Sequence, residues 1–171
     1  MTSYYKTYVN DFASADGGEG LLAILVLKTP TGLHSNLEQP CAHPWTKEGV
    51  TFFTDNEHPQ QCGLMRYREG HEIPPHTHIA YERTIRGTSE VLFILKGCVR
   101  VDFYNSRNQF IQSSYLTEGE IVVLIGGGHG FTVIKDCEML EVKQGPYVAD
   151  RDKIRFNDVA ELKSTYPSKG N

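Results

Sequence analysis

Hydrophobic residues in this chain fall in short runs rather than at helical spacing. GVTFFTD (49–55), CGLMRYR (62–68), EVLFILKG (90–97), CVRVDFYN (98–105), EIVVLIG (120–126), GFTVIKD (130–136) and EMLEVKQ (138–144) are rich in branched and aromatic side chains. Gly, Asn, Asp or Pro bounds most of them, and runs of this kind predict β-strands. In CVRVDFY the alternation sends Val99, Val101 and Phe103 to one face and Cys98, Arg100, Asp102 and Tyr104 to the other. EVLFIL does not alternate, which predicts a strand covered on both faces. Between these two runs the Lys96-Gly97 step predicts a tight hairpin turn, because glycine takes positive φ without penalty.

The most apolar run, LLAILVLK (21–28), is too short to cross a bilayer. Asp11, Asp16 and Glu19 precede it, where a signal peptide carries basic residues. It is expected to be a buried strand, and the protein is expected in the cytoplasm. The first twenty residues, ending in GGEG, suggest an arm or loosely ordered entry segment. Only DVAELKSTY (158–166) has helical spacing, with Val159, Leu162 and Tyr166 in phase and Asp158 as a cap. Many short strands with little helix predict an all-β fold, an antiparallel sandwich or barrel. Such a barrel has open sheet edges, and pairing of LLAILVLK with a second copy in a homodimer would cover one.

Composition narrows the function classes. A length of 171 residues suits one domain. The net charge of −4 and the lack of any Lys/Arg block argue against a nucleic-acid surface. Cys41, Cys62, Cys98 and Cys137 form no CxxC pair and are expected to be reduced structural thiols. IGGGHG fits neither phosphate-loop fingerprint, and its glycines are read as letting the backbone turn so that His129 enters the barrel.

The densest chemistry is in GHEIPPHTH (70–78), which holds three of the seven histidines. On a strand, residues two apart face the same side, so His76 and His78 could aim both imidazoles at one point, a good arrangement for a transition metal. Pro74 and Pro75 restrict the backbone just before the pair. The alternative is a histidine-rich surface turn. His71 reads as exposed or as a supporting group, and His34, His43 and His58 as ordinary loop residues.

Further residues extend the pattern. Gly70, His76 and His78 are followed by Glu90 and Gly97, and GEIVVLIGGGHGF then brings His129 after a glycine cluster. Over about residues 60 to 146 this arrangement resembles the cupin superfamily. The resemblance implies an antiparallel β-barrel of the jelly-roll, double-stranded β-helix type, with an N-terminal strand arm and a short C-terminal helix. With the pattern of the flanking residues, the chain is expected to divide into an arm at 1–45, a barrel at 46–146 and an extension at 147–171. The resemblance also implies His76, His78, Glu90 and His129 as ligands of one divalent transition metal, Fe, Mn, Ni or Zn. Eleven residues, IAYERTIRGTS, separate His78 from Glu90, more than the family usually has, so Glu82 competes for the carboxylate position. The second motif has Leu124-Ile125-Gly126 where the family has a proline, and Val133 where asparagine is common. A centre with three imidazoles and one carboxylate would leave positions open for water, substrate oxygens or dioxygen.

The inserted loop carries Tyr81, Glu82, Arg83 and Arg86, a set suited to an anionic or polyhydroxylated ligand. Tyr81, Glu82 and His71 are candidates for moving protons. Arg83 and Arg86, with Arg66 and Lys143 on neighbouring strands, are candidates for binding substrate. EVLFILKGCVRVDFY…GGHGF…MLEVKQGPYVADRDKIRF is similar to small single-cupin proteins associated with bacterial surface-polysaccharide synthesis. YVADRDKIRF also resembles the close of the sugar-nucleotide ketoisomerases, cupin-like enzymes that use a histidine acid/base without a metal. Together these imply a metal-binding enzyme of isomerase, epimerase or oxygenase type acting on a carbohydrate. A non-catalytic sugar- or metabolite-binding cupin, or a metal-free isomerase with His76 or His78 as base, is the alternative.

Overall fold

The computed structural model describes residues 4–11, 20–28, 48–148 and 152–156. The described residues form eight strands: β1 (Tyr4–Asp11), β2 (Gly20–Lys28), β3 (Gly49–Phe52), β4 (Gly63–Arg66), β5 (Glu90–Tyr104), β6 (Phe110–Thr117), β7 (Ile121–Leu124) and β8 (Gly128–Lys143). The described part is all-β, with no helix. Its main sheet is antiparallel and runs β1-β2-β7-β5, with β6 and β8 also on β5; β3 and β4 form a separate hairpin. The helix expected at 158–166 lies outside the described residues, as do Cys41, His34 and His43.

Register explains how the sheet divides its apolar residues. Leu25, Val122 and Leu92 are cross-strand neighbours on one face. With Val99, Val101 and Phe103 they build the larger core, on the concave side. Ile24, Val123 and Val91 are neighbours on the opposite face, where Phe53, Cys62 and Leu64 from the β3–β4 hairpin cover them. β5 is thus covered on both faces over Val91–Ile94, as its unalternating sequence implies, more completely on the concave one: Leu92 and Ile94 are buried, Val91 and Phe93 half-buried. Each fully buried aliphatic side chain here is worth roughly 1.5–3 kcal/mol, so burial rather than local propensity fixes the register.

The chain does not reverse at Lys96-Gly97. β5 is one strand of 15 residues and β8 one of 16, paired antiparallel from Glu90↔Lys143 to Tyr104↔Gly128. The predicted hairpin is instead a sharp bend, marked by three register shifts between Ile94 and Val99. Gly97 sits in it at φ 87°, and a Cβ there would collide with the Asp136 carbonyl. Bulges of this kind bend a strand and increase its twist, which curls the sheet into a half-barrel.

Residues 4–11, read as part of an arm or loosely ordered entry segment, are a strand paired with β2 along its length. The expected pairing of LLAILVLK with a second copy changes. β2 has β1 on one side and β7 on the other, so the LLAILVLK edge is already covered within the chain. Among the described residues, β1, β6 and β8 of the main sheet each pair on one edge only, as do β3 and β4 in the hairpin. No helix of the described residues is long and apolar enough to cross a membrane.

Candidate functional site

The curl has one local consequence of chemical interest. Glu90 begins the β5–β8 ribbon, and His129 lies opposite Phe103, thirteen steps along β5. On a flat ribbon that separation would be roughly 40 Å. Instead, Glu90 Oε2 lies 3.1 Å from His129 Nε2, with side chains 17% and 30% exposed. The bend at Gly97 thus folds the ribbon until its ends meet. The His129 hydrogen bond holds the Glu90 carboxyl below its ordinary range, against the opposing effect of burial, and Lys143 and Lys153 add attraction.

This pair lines an open cavity of about 1260 Å³. Along β8 the side chains facing the concave side are His129, Phe131 and Val133, then Met139, Glu141 and Lys143, each set by the register with β5. Gly126 and Gly127 form the turn that leads into β8, two residues before His129. A Cβ on Gly127, at φ 64°, would collide with the Tyr104 carbonyl, so glycine lets the turn press against β5 there. The far wall is the segment Asp152–Phe156. Asp152 Oδ2 accepts from Lys143 Nζ at 2.6 Å, and the Phe156 ring meets the Tyr104 ring edge-on at 5.1 Å. The carboxylate holds the Lys143 ammonium above its ordinary pKa. Lys143 is thus the paired lysine that its strand position requires.

The remaining sequence candidates lie elsewhere. His76 and His78 belong to 71–88, a stretch that is exposed throughout and pairs with no strand, so the strand expected under the histidine pair is absent. Their rings still lie close, centroids 5.4 Å apart, and His76 Nδ1 is 3.0 Å from the Pro74 carbonyl. His71 stacks on Tyr67 at 4.2 Å. The Arg83 guanidinium lies 3.7 Å over the Tyr81 ring. Glu82 and Arg86 are exposed in the same stretch, and Arg66 is half-buried on β4. Of the four candidate ligands, Glu90 and His129 are brought together; His76 and His78 are not placed with them. Among the described residues no three His, Cys, Asp or Glu side chains stand grouped as a ligand set, so the fit to a four-ligand centre is partial.

Lys153, Arg155, Asp152 and Glu141 are the cavity residues that sequence reasoning missed. Glu141 was legible in principle, since strand alternation from His129 and Phe131 points to it once the β5 register is known. Comparison with known protein families finds no matching family, and no curated protein or solved structure gives a significant match.

Proposed function

We propose that this chain is a metal-binding cupin of jelly-roll type, whose open cavity takes a small polar substrate such as a sugar or sugar derivative. The observation that carries the reading is the meeting of Glu90 and His129 at the cavity wall, two distant residues that the motif resemblance pairs for the same task. A bound divalent metal would supply Lewis-acid polarisation of substrate oxygens. The protein would supply Glu90 and His129 from the two ends of one bent ribbon, with His76 and His78 on the stretch whose end, Gly87-Thr88, borders the same cavity. Isomerisation, epimerisation and oxygenation are the reaction types in view, with carbohydrate or surface-polysaccharide metabolism as the setting, the cytoplasm as location and a homodimer as assembly.

Elemental analysis of gently purified protein tests this. Near-stoichiometric transition metal, lost in both His129→Ala and His76→Ala, supports it. Sub-stoichiometric metal unaffected by either substitution counts against it. The 3.1 Å contact favours a second reading: a metal-free site in which Glu90 orients His129 for proton transfer. Turnover of a sugar nucleotide that persists in chelator, and is lost in His129→Ala, would select that reading. Binding without turnover in either condition would make the protein a carbohydrate-binding cupin.

A further inference from the structure

The segment Asp152–Phe156 is fixed at both ends and free in the middle. Asp152 is held by Lys143, and its side chain is only 12% exposed. Phe156 packs against Tyr104 and so close to Gly128 that a Cβ there would lie 2.9 Å from the ring. Between these anchors Lys153, Ile154 and Arg155 are exposed, Ile154 at 92%, although all three border the cavity. A chain pinned on either side of three exposed residues forms a strap along the rim, facing the wall that carries Glu90 and His129.

Charge at the rim is unevenly matched. Glu90 is answered by His129 and Asp152 by Lys143. Glu141 also borders the cavity and Lys153 attracts the Glu90 carboxylate from a distance, but neither Lys153 nor Arg155 forms an ion pair within 4 Å among the described residues. Two cationic side chains two positions apart on an anchored strap, a guanidinium fork and an ammonium that both border the cavity, suit an oxyanion. Arg83, by contrast, lies over Tyr81 on the exposed 71–88 stretch.

We propose that the 152–156 strap is the recognition element for an anionic substrate, with Lys153 and Arg155 binding its phosphate or carboxylate group. This rests on the reading of the cavity as a small-molecule site and adds the substrate's charge class to it. The anionic group docks at the rim, and the rest of the molecule extends towards Glu90 and His129. Lys143–Asp152 and Phe156–Tyr104 act as positioning contacts that hold the strap in place.

Calorimetric titration of the full chain with inorganic pyrophosphate and, separately, malonate tests the proposal, at low ionic strength and again at about 0.15 M salt, where unspecific surface attraction is screened. The expected result is binding of at least one anion that weakens tenfold or more in the Lys153→Ala/Arg155→Ala double variant. Both positions are exposed, so the fold should persist. Phe156→Ala should weaken binding while leaving both cations in place. A control double variant at the ribbon bend, Lys96→Ala/Lys135→Ala, should bind as the parent does. The tighter of the two anions identifies the head group. No binding by the parent, equal binding by the strap variant, or equal loss in the control would overturn the proposal. Metal content measured on the same samples separates this from the proposed function. Strap-dependent anion binding without histidine-dependent metal leaves the strap standing and removes the metal, and the converse leaves the metal and removes the strap.

Discussion

His129 stands on a strand paired with β5 along its whole length, whereas His76 and His78 stand in eighteen consecutive exposed residues, 71–88, that join no sheet. The difference follows from the side chains each region offers. β8 alternates His129, Phe131 and Val133 towards the concave side, and β5 opposes them with the buried Phe103, Val101 and Val99. In 71–88, Pro74 and Pro75 lack the N–H that a ladder needs. Its large apolar residues, Ile73, Ile79, Tyr81 and Ile85, share a strand phase, but Pro75, Thr77 and Arg83 interrupt it, and all four remain exposed, Ile79 at 85%. A histidine is thus placed by the core behind its strand, and a histidine motif on its own places nothing.

Two glycines in left-handed conformation separate these regions most sharply. At Gly97, φ 87°, an added Cβ meets the Asp136 backbone; at Gly87, φ 76°, nothing lies within 4 Å. Gly97→Ala should therefore cost at least about 3 kcal/mol, a large share of a marginal domain's stability. Gly87→Ala should cost only the left-handed penalty, roughly 1–2 kcal/mol. Thermal unfolding of the two variants decides the matter, and equal losses would mean the ribbon does not bend against β8 at Gly97.

The same contrast holds for packing. Leu92→Ala removes a buried side chain from the concave core and should lower stability by about 2–5 kcal/mol in denaturant titration. Ile79→Ala should stay within about 0.5 kcal/mol of the parent. A large loss at Ile79 would show that 71–88 is covered in solution, for instance by a second copy. Smaller than the loss at Leu92 is the coupling between Glu90 and His129. A double-mutant cycle with Glu90→Gln and His129→Ala should give about 0.5–1 kcal/mol, and additivity of the two substitutions would show the ends of the ribbon apart.

Most strands were legible from their apolar runs, but their continuity was not. Lys96-Gly97 reads the same whether the chain reverses or bends, and only the pairing of Lys96 with Glu138 and of Cys98 with Lys135 decides which. β6 escaped notice because Gln112, Ser113 and Ser114 dilute its apolar pattern, although Ser114 is buried. β1 is carried by its register to β2, with Val9 its one fully buried hydrophobic residue among those described. At the site, Glu90 and His129 were named through resemblance to a motif. Lys153 and Arg155 were not, because their segment has no periodicity and is positioned by the tertiary contacts Lys143–Asp152 and Phe156–Tyr104.

The most direct measurement is anomalous diffraction from a crystal of the full chain grown with a transition metal present. The expected result is a single ion held by Glu90 and His129, with His76 and His78 drawn in to complete its shell. An ion bound elsewhere, or Glu90 and His129 separated with nothing between them, would contradict the idea that bending the ribbon at Gly97 builds the centre.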